Sequence, residues 1–123
     1  MTISDALAAI ERSRPGILKS PEVISVLSSL DSLIYNGIYK PCMKGHFPDF
    51  EGYAPSVPGS TKLLLPDEFS DVYIYRLEAY ADYSSGETVS YNNSSLLFNS
   101  RLDEFVKRYA ASHRKADALT WRF

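Results

Sequence analysis

The stretch from Asp67 to Arg114, DEFSDVYIYRLEAYADYSSGETVSYNNSSLLFNSRLDEFVKRYAASHR, decides the fold. Its first half opens on Asp67, Glu68 and Asp71, acids suited to the positive N-terminal pole of a helix, and stops at Gly86 after Ser84-Ser85. The second half begins near Glu87 and runs to about His113. Arg101, Lys107, Arg108, Arg114 and Lys115 lie toward its end, where cations complement the negative pole. The pattern predicts two long helices joined by a serine-glycine break.

Both helices carry more apolar surface than one core stripe needs. At about 100° per residue, Phe69, Val72, Tyr73, Leu77, Tyr80 and Tyr83 share one face of the earlier helix, and Ile74 and Tyr75 fall outside it. Arg76 falls inside the stripe, where a charge must be paired or reach out along its stem. On the later helix Tyr91, Phe98, Leu102, Phe105, Val106 and Tyr109 form the stripe, with Val89, Leu96 and Leu97 on the far side. A small bundle that buries both sides of its central helices accounts for such residues one helix at a time. Both helices being doubled, in a chain with nine tyrosines, points to surfaces that meet a partner, where tyrosine is enriched.

Toward the N-terminus the regular period is lost. Between Lys40 and Lys62, four prolines (Pro41, Pro48, Pro55, Pro58) and three glycines (Gly45, Gly52, Gly59) predict a long irregular arm over residues 40–62. Phe47, Phe50 and Tyr53 mark it for docking, on the domain or on a partner. Thr61 to Leu65 reads as briefly extended and ends at Pro66.

Before the arm, Ser20-Pro21-Glu22 reads as a cap, a first-turn proline and a first-turn acid. Val23, Val26, Leu27, Leu30, Leu33, Ile34 and Ile38 then mark one helical face down to Pro41. A short first helix carries Ile3, Leu7 and Ile10, with Ser4 and Asp5 in its first turn, and stops at Pro15-Gly16. At the other end, residues 116–123 carry Trp121 and Phe123, aromatic groups that suit a docked tail. The expected fold is mainly α: one domain over residues 1–123, a bundle of about four helices with the arm between helices 2 and 3.

With 123 residues, 45% of them hydrophobic and 23% charged, the chain has the balance of a folded single domain. A net charge of −2 supplies no positive field to hold a phosphate backbone or anionic lipid. Cys42 is the single cysteine, so no internal disulfide forms, as suits a reducing cytoplasm. MTISDALAAIERSR carries Asp5 and Glu11 within an interrupted apolar pattern and does not read as a secretion signal. No run approaches the length of a membrane span.

Candidate chemistry is sparse. Cys42, His46 and Asp49 lie close in sequence, but a structural zinc needs four ligands and the other histidine, His113, stands alone in helix 4. A cysteine-histidine nucleophile would need an oriented base and an oxyanion site, and neither is identifiable. There is no glycine-rich phosphate loop, paired-carboxylate motif or nucleophile elbow. Asp67, Glu68 and Asp71 read as dipole partners, and Lys107, Arg108, Arg114 and Lys115 as a solvated C-terminal turn. The expectation is a protein without catalytic residues, cofactor or metal.

The segments TISDALAAIERSRPG, LSSLDSLIY, LLLPDEFSDVYIYRLEAYADYSSGE and YNNSSLLFNSRLDEFVKRYAASHR together resemble the small head-tail connector, or adaptor, proteins of the tailed bacteriophage neck. Leu64-Leu65-Pro66, Val72 to Asp82, Tyr91-Asn92-Asn93 and Phe98-Asn99 carry the likeness most specifically. The arm and the terminal Trp121-Arg122-Phe123 depart from that pattern. The resemblance implies a virion structural protein, assembled from the host cytoplasm as a homo-oligomeric ring, commonly of twelve, below the portal. Its partners would be portal and tail or stopper proteins, with DNA passing the bore unread and no membrane involved. Ile74, Tyr75, Val89, Leu96, Leu97, Phe47, Phe50, Tyr53, Trp121 and Phe123 are the candidate contacts. The competing expectation is a morphogenesis factor outside the virion, such as a tail-assembly chaperone.

Overall fold

The computed structural model describes residues 1–43 and 45–117, and it is mainly helical, a small bundle of four helices. Helix α1 spans Ile3–Ser13, α2 Ser20–Ile34, α3 Ser70–Ser84 and α4 Thr88–Asp117. Among the described residues there is no strand, only a single antiparallel bridge between Thr2 and Lys62.

Helices α1 and α2 begin where the sequence supplies partners for the backbone N–H groups that a first turn leaves over. Thr2 Oγ1 accepts from the Asp5 N–H at 3.1 Å while the Asp5 carboxylate accepts from the Thr2 N–H at 3.0 Å, a reciprocal cap. The next two donors of α1 are satisfied from far along the chain: the Ile3 N–H donates to the Thr61 carbonyl at 3.0 Å and the Ser4 N–H to that of Gly59 at 2.9 Å. The approach is close: a Cβ at Gly59 would stand 2.1 Å from Ser4 Oγ and would oblige that hydroxyl to turn away. At α2 the cap is Lys19, one residue before Ser20, with its N–H bonded to Glu22 Oε1 at 3.1 Å and Pro21 in the first turn.

The second helix departs from the expected single run to Pro41. Its α-helical part ends at Ile34, then widens into a π turn over Tyr35–Tyr39 and tightens into a 3₁₀ turn over Lys40–Cys42. Leu33, expected on its inner face, is 58% exposed and sits just past the edge of the buried arc. Ile24 and Asp31 are buried on that arc instead. Asp67–Phe69 likewise forms a 3₁₀ turn leading into α3.

One apolar cluster joins all four helices and the arm. Ile3 and Ile10 of α1, Leu27 and Ile34 of α2, Val72, Tyr73 and Leu77 of α3, and Phe105 of α4 meet Leu63, Leu65 and Phe69 within it. Each fully buried side chain of this size contributes about 1.5–3 kcal/mol by leaving water. Helix α3 has α1, α2 and α4 as neighbours and is the central element. Helices α3 and α4 form an antiparallel hairpin, matched along its length by Phe69 against Phe105, Arg101 on Asp71, Ser94 on Asp82 and Tyr83 beside Tyr91. Gly86, at φ 74°, makes the turn between them in a backbone region that favours glycine.

The expected stripes are corrected at their ends. Tyr83 is 72% exposed, because at the last turn of α3 its ring leans on Tyr91 and not into the core. Arg76 escapes burial: it is exposed, with its guanidinium 5.7 Å from the centre of the Phe98 ring.

Candidate assembly surface

On α4, Phe105 and Ala110 are buried, and Phe98, Leu102, Val106 and Tyr109 pack partly buried against the core. The helical period therefore turns Val89 and Leu96 almost directly away from α3, with Leu97 on the flank. Their exposures agree: 74% for Val89, 68% for Leu96 and 48% for Leu97. Ile74 and Tyr75 are half-buried. Ile74 lines a groove of about 530 Å³ between α1 and α3, together with Ala8, Ala9, Arg12, Lys62 and Ser70.

The arm's aromatic residues divide. Phe47 is exposed, whereas Phe50 and Tyr53 are engaged by α2 and the π turn. The Phe50 backbone is gripped by the Asn36 amide through both its N–H, at 2.9 Å, and its carbonyl, at 3.2 Å. Its ring packs near Tyr35 and Tyr53. The Tyr53 N–H donates to Ser28 Oγ at 2.8 Å. Trp121 and Phe123 lie outside the described residues.

The densest polar site was not anticipated. Asp31 is fully buried within α2 and accepts hydrogen bonds from three donors: the Tyr53 hydroxyl, the Tyr73 hydroxyl at 2.6 Å and the Leu64 N–H at 3.2 Å. The Tyr73 oxygen in turn accepts from the Leu65 N–H at 2.8 Å. Burial pushes the Asp31 carboxyl above its ordinary range, opposed by the two tyrosines and the Leu64 N–H, which favour the charged form. The same burial raises both phenols, with the Asp31 charge adding to it, and takes neighbouring Tyr39 to about 12. Asp31 does not line the groove between α1 and α3. No buried side-chain polar atom among the described residues lacks a partner. The arrangement is a clamp: it ties the arm at Tyr53, and the segment just after the arm at Leu64 and Leu65, to α2 and α3. One signal for it was available, since Asp31 falls on the same face as Leu27, Ile34 and Ile38, where a charge demands partners.

A second buried carboxylate fastens α1 to the hairpin. Arg14 grips Asp82 with two nitrogens, at 2.8 and 3.2 Å, and Ser94 of α4 donates to it at 3.1 Å. The Arg14 hydrogen bond, foremost, holds the Asp82 carboxyl below the usual carboxylate range.

The residues weighed for metal or nucleophilic chemistry do not converge. Cys42 is half-buried in the 3₁₀ turn, His46 is exposed, and Asp49 is exposed and paired with Lys40. Among the described residues no three of His, Cys, Asp and Glu come together so as to hold a metal ion. The acids leading into α3 do more than meet its dipole: Asp67 pairs with the Met1 amine, Glu68 with Arg108 and Asp71 with Arg101. Lys107 pairs with Asp103. No described helix is long and apolar enough to cross a membrane.

Comparison with known proteins returns no match to a family model, a characterised protein or a solved structure.

Proposed function

We propose that this chain is a virion structural protein without enzymatic activity, a head-tail connector subunit that assembles as a ring below the portal and joins capsid to tail. One observation carries the reading: Val89 and Leu96 stand on the face of α4 turned away from its own core, largely exposed. A ring subunit needs such apolar surface beyond what folds it, arranged so that the contact repeats from copy to copy and closes. The sequence segments that resemble phage connectors supply the setting, portal above and tail or stopper proteins below. The weak net charge suits a bore through which DNA slides.

Native mass spectrometry and negative-stain microscopy of the purified chain, alone and with the cognate portal, test the proposal. The expected result is a closed ring. A chain that stays monomeric and ignores portal at high concentration refutes it. Proteomics of purified virions separates a connector, present in finished particles, from an assembly chaperone, which is not. Cys42→Ala is expected to alter only local packing and to leave assembly intact. Stoichiometric bound metal, or an activity lost with that substitution, would restore an enzymatic reading.

A further inference from the structure

Two aromatic rings on the α3–α4 hairpin are covered by arginine. At Phe69 the Arg101 guanidinium stands 4.4 Å from the ring centre and that of Arg108 5.2 Å, and carboxylates hold both cations there: Asp71 and Glu104 on Arg101, Glu68 and Glu104 on Arg108. At Phe98 the cation is Arg76, 5.7 Å away. Ring, carboxylate and guanidinium make a unit, because the ring face attracts the cation and the acid fixes its position. The turn end of the hairpin holds the first two parts without the third. Tyr83 and Tyr91 pack with ring centres 5.7 Å apart, and with Glu87 they line a cavity of about 350 Å³. Among the described residues no arginine or lysine lines that cavity or lies over either ring. We propose that the cavity takes the guanidinium of an arginine side chain presented by another polypeptide.

The charges of the site call for a cation. Glu87 is exposed and makes no ion pair among the described residues. Asp82 also lines the cavity, but Arg14 takes both its oxygens and Ser94 donates to one of them, so it brings no unspent charge. Arg14 is balanced in turn by Glu78 at 3.7 Å, which offsets its repulsion of a second cation. The C-terminal pole of α3 and the N-terminal pole of α4 lie side by side at the turn and oppose each other, which leaves Glu87 to set the sign. A guanidinium suits the rings better than an ammonium, because it is planar, stacks on an aromatic face and gives up its water more readily. The openness of the site points to a side chain as the bearer of that group. Tyr83 is 72% exposed, so the cavity grips the head of its guest and leaves the stem free to join a backbone outside.

The test is an amide-shift titration of the isotope-labelled full chain with the capped tripeptide acetyl-Gly-Arg-Gly-amide. Shifts should be confined to the turn, around Tyr83, Glu87 and Tyr91, with half-saturation at about 1–10 mM, as befits a single anchoring group. Tyr83→Leu removes a ring and Glu87→Gln the charge. Both positions are exposed, so circular dichroism should report an unchanged fold. Each variant should weaken binding by about 2–5-fold, the effect of losing one cation–π contact or one exposed ion pair. The lysine counterpart of the peptide should bind more weakly and the glutamine counterpart should not bind. One copy of the chain suffices for this binding, so its failure would leave the ring reading where it stands. Absence of shifts by about 50 mM arginine peptide overturns the proposal. Equal binding of the glutamine peptide overturns it too, as does undiminished binding of the arginine peptide by both variants. Equal binding of the lysine peptide overturns the assignment to guanidinium.

Discussion

Removing one oxygen atom at Tyr73 should cost this fold more than any surface change. The residue is fully buried, and its hydroxyl both donates to Asp31 at 2.6 Å and accepts from the Leu65 N–H at 2.8 Å. Tyr73→Phe keeps the ring and its packing, so the loss is purely polar. It strips a buried carboxylate of one of three donors, a charge-assisted bond of about 1.5–3 kcal/mol, and strands a backbone N–H at a cost of about 1–3 kcal/mol. Some of this is recovered as Asp31 takes up a proton more readily, which sets the expected loss at about 3 kcal/mol. For a domain of this size that lowers Tm by roughly 10 °C. Urea and thermal unfolding of the full chain, followed by circular dichroism, measure it. The comparison is Tyr53→Phe, which removes another Asp31 donor but strands no N–H, and should cost about half as much. If Tyr73→Phe lies within about 0.5 kcal/mol of wild type, the network around Asp31 does not clamp the arm and the reasoning fails.

Protonation should act in opposite directions at the two buried carboxylates. Asp31 has a raised pKa, so its stabilising contribution is full below the unfolded value of 3.8 and is lost as pH rises through the folded pKa. Relative to Asp31→Asn, the wild type should therefore gain stability as pH falls from neutral, and a gap independent of pH contradicts this. Asp82 is depressed, so its contribution is present above 3.8 and lost as pH falls through the lower folded value. Arg14→Met should cost about 2–3 kcal/mol at neutral pH, because it leaves a buried acid without its cation, and less in acid; chemical denaturation at two pH values reads both effects. Gly52→Ala should destabilise by about 1–3 kcal/mol, since the residue holds φ 93° and a Cβ would lie 2.0 Å from Ser28 Oγ. A neutral result in urea unfolding would mean that the arm does not dock on α2 as described.

How much of this was legible in the sequence depends on whether the information is local. The hairpin of α3 and α4 was readable because acids, cations and a serine-glycine break act on their own helix within a turn or two. Leu33 and Tyr83 were misplaced because a wheel knows the angle of a residue but not where the neighbouring helix ends. The π turn at Tyr35–Tyr39 left no period to detect, since Ile34 and Ile38 keep ordinary helical spacing. The docking of the arm was legible only as a surplus of aromatic residues, because Asn36 and Ser28 grip backbone groups that any sequence would offer. The outer face of α4 was read correctly as apolar and beyond the core.

The carbonyls of Gly59 and Thr61 that complete the first turn of α1 have a bearing on the order of events during synthesis. Once synthesised, α1 lacks its outer cap until some sixty further residues have followed, roughly 3–12 s at ordinary rates of elongation. During that interval Ile3, Ala6 and Ile10 have no finished core to enter. Helix α1 is thus made well before the residues that secure it, and its apolar face stays uncovered for that interval.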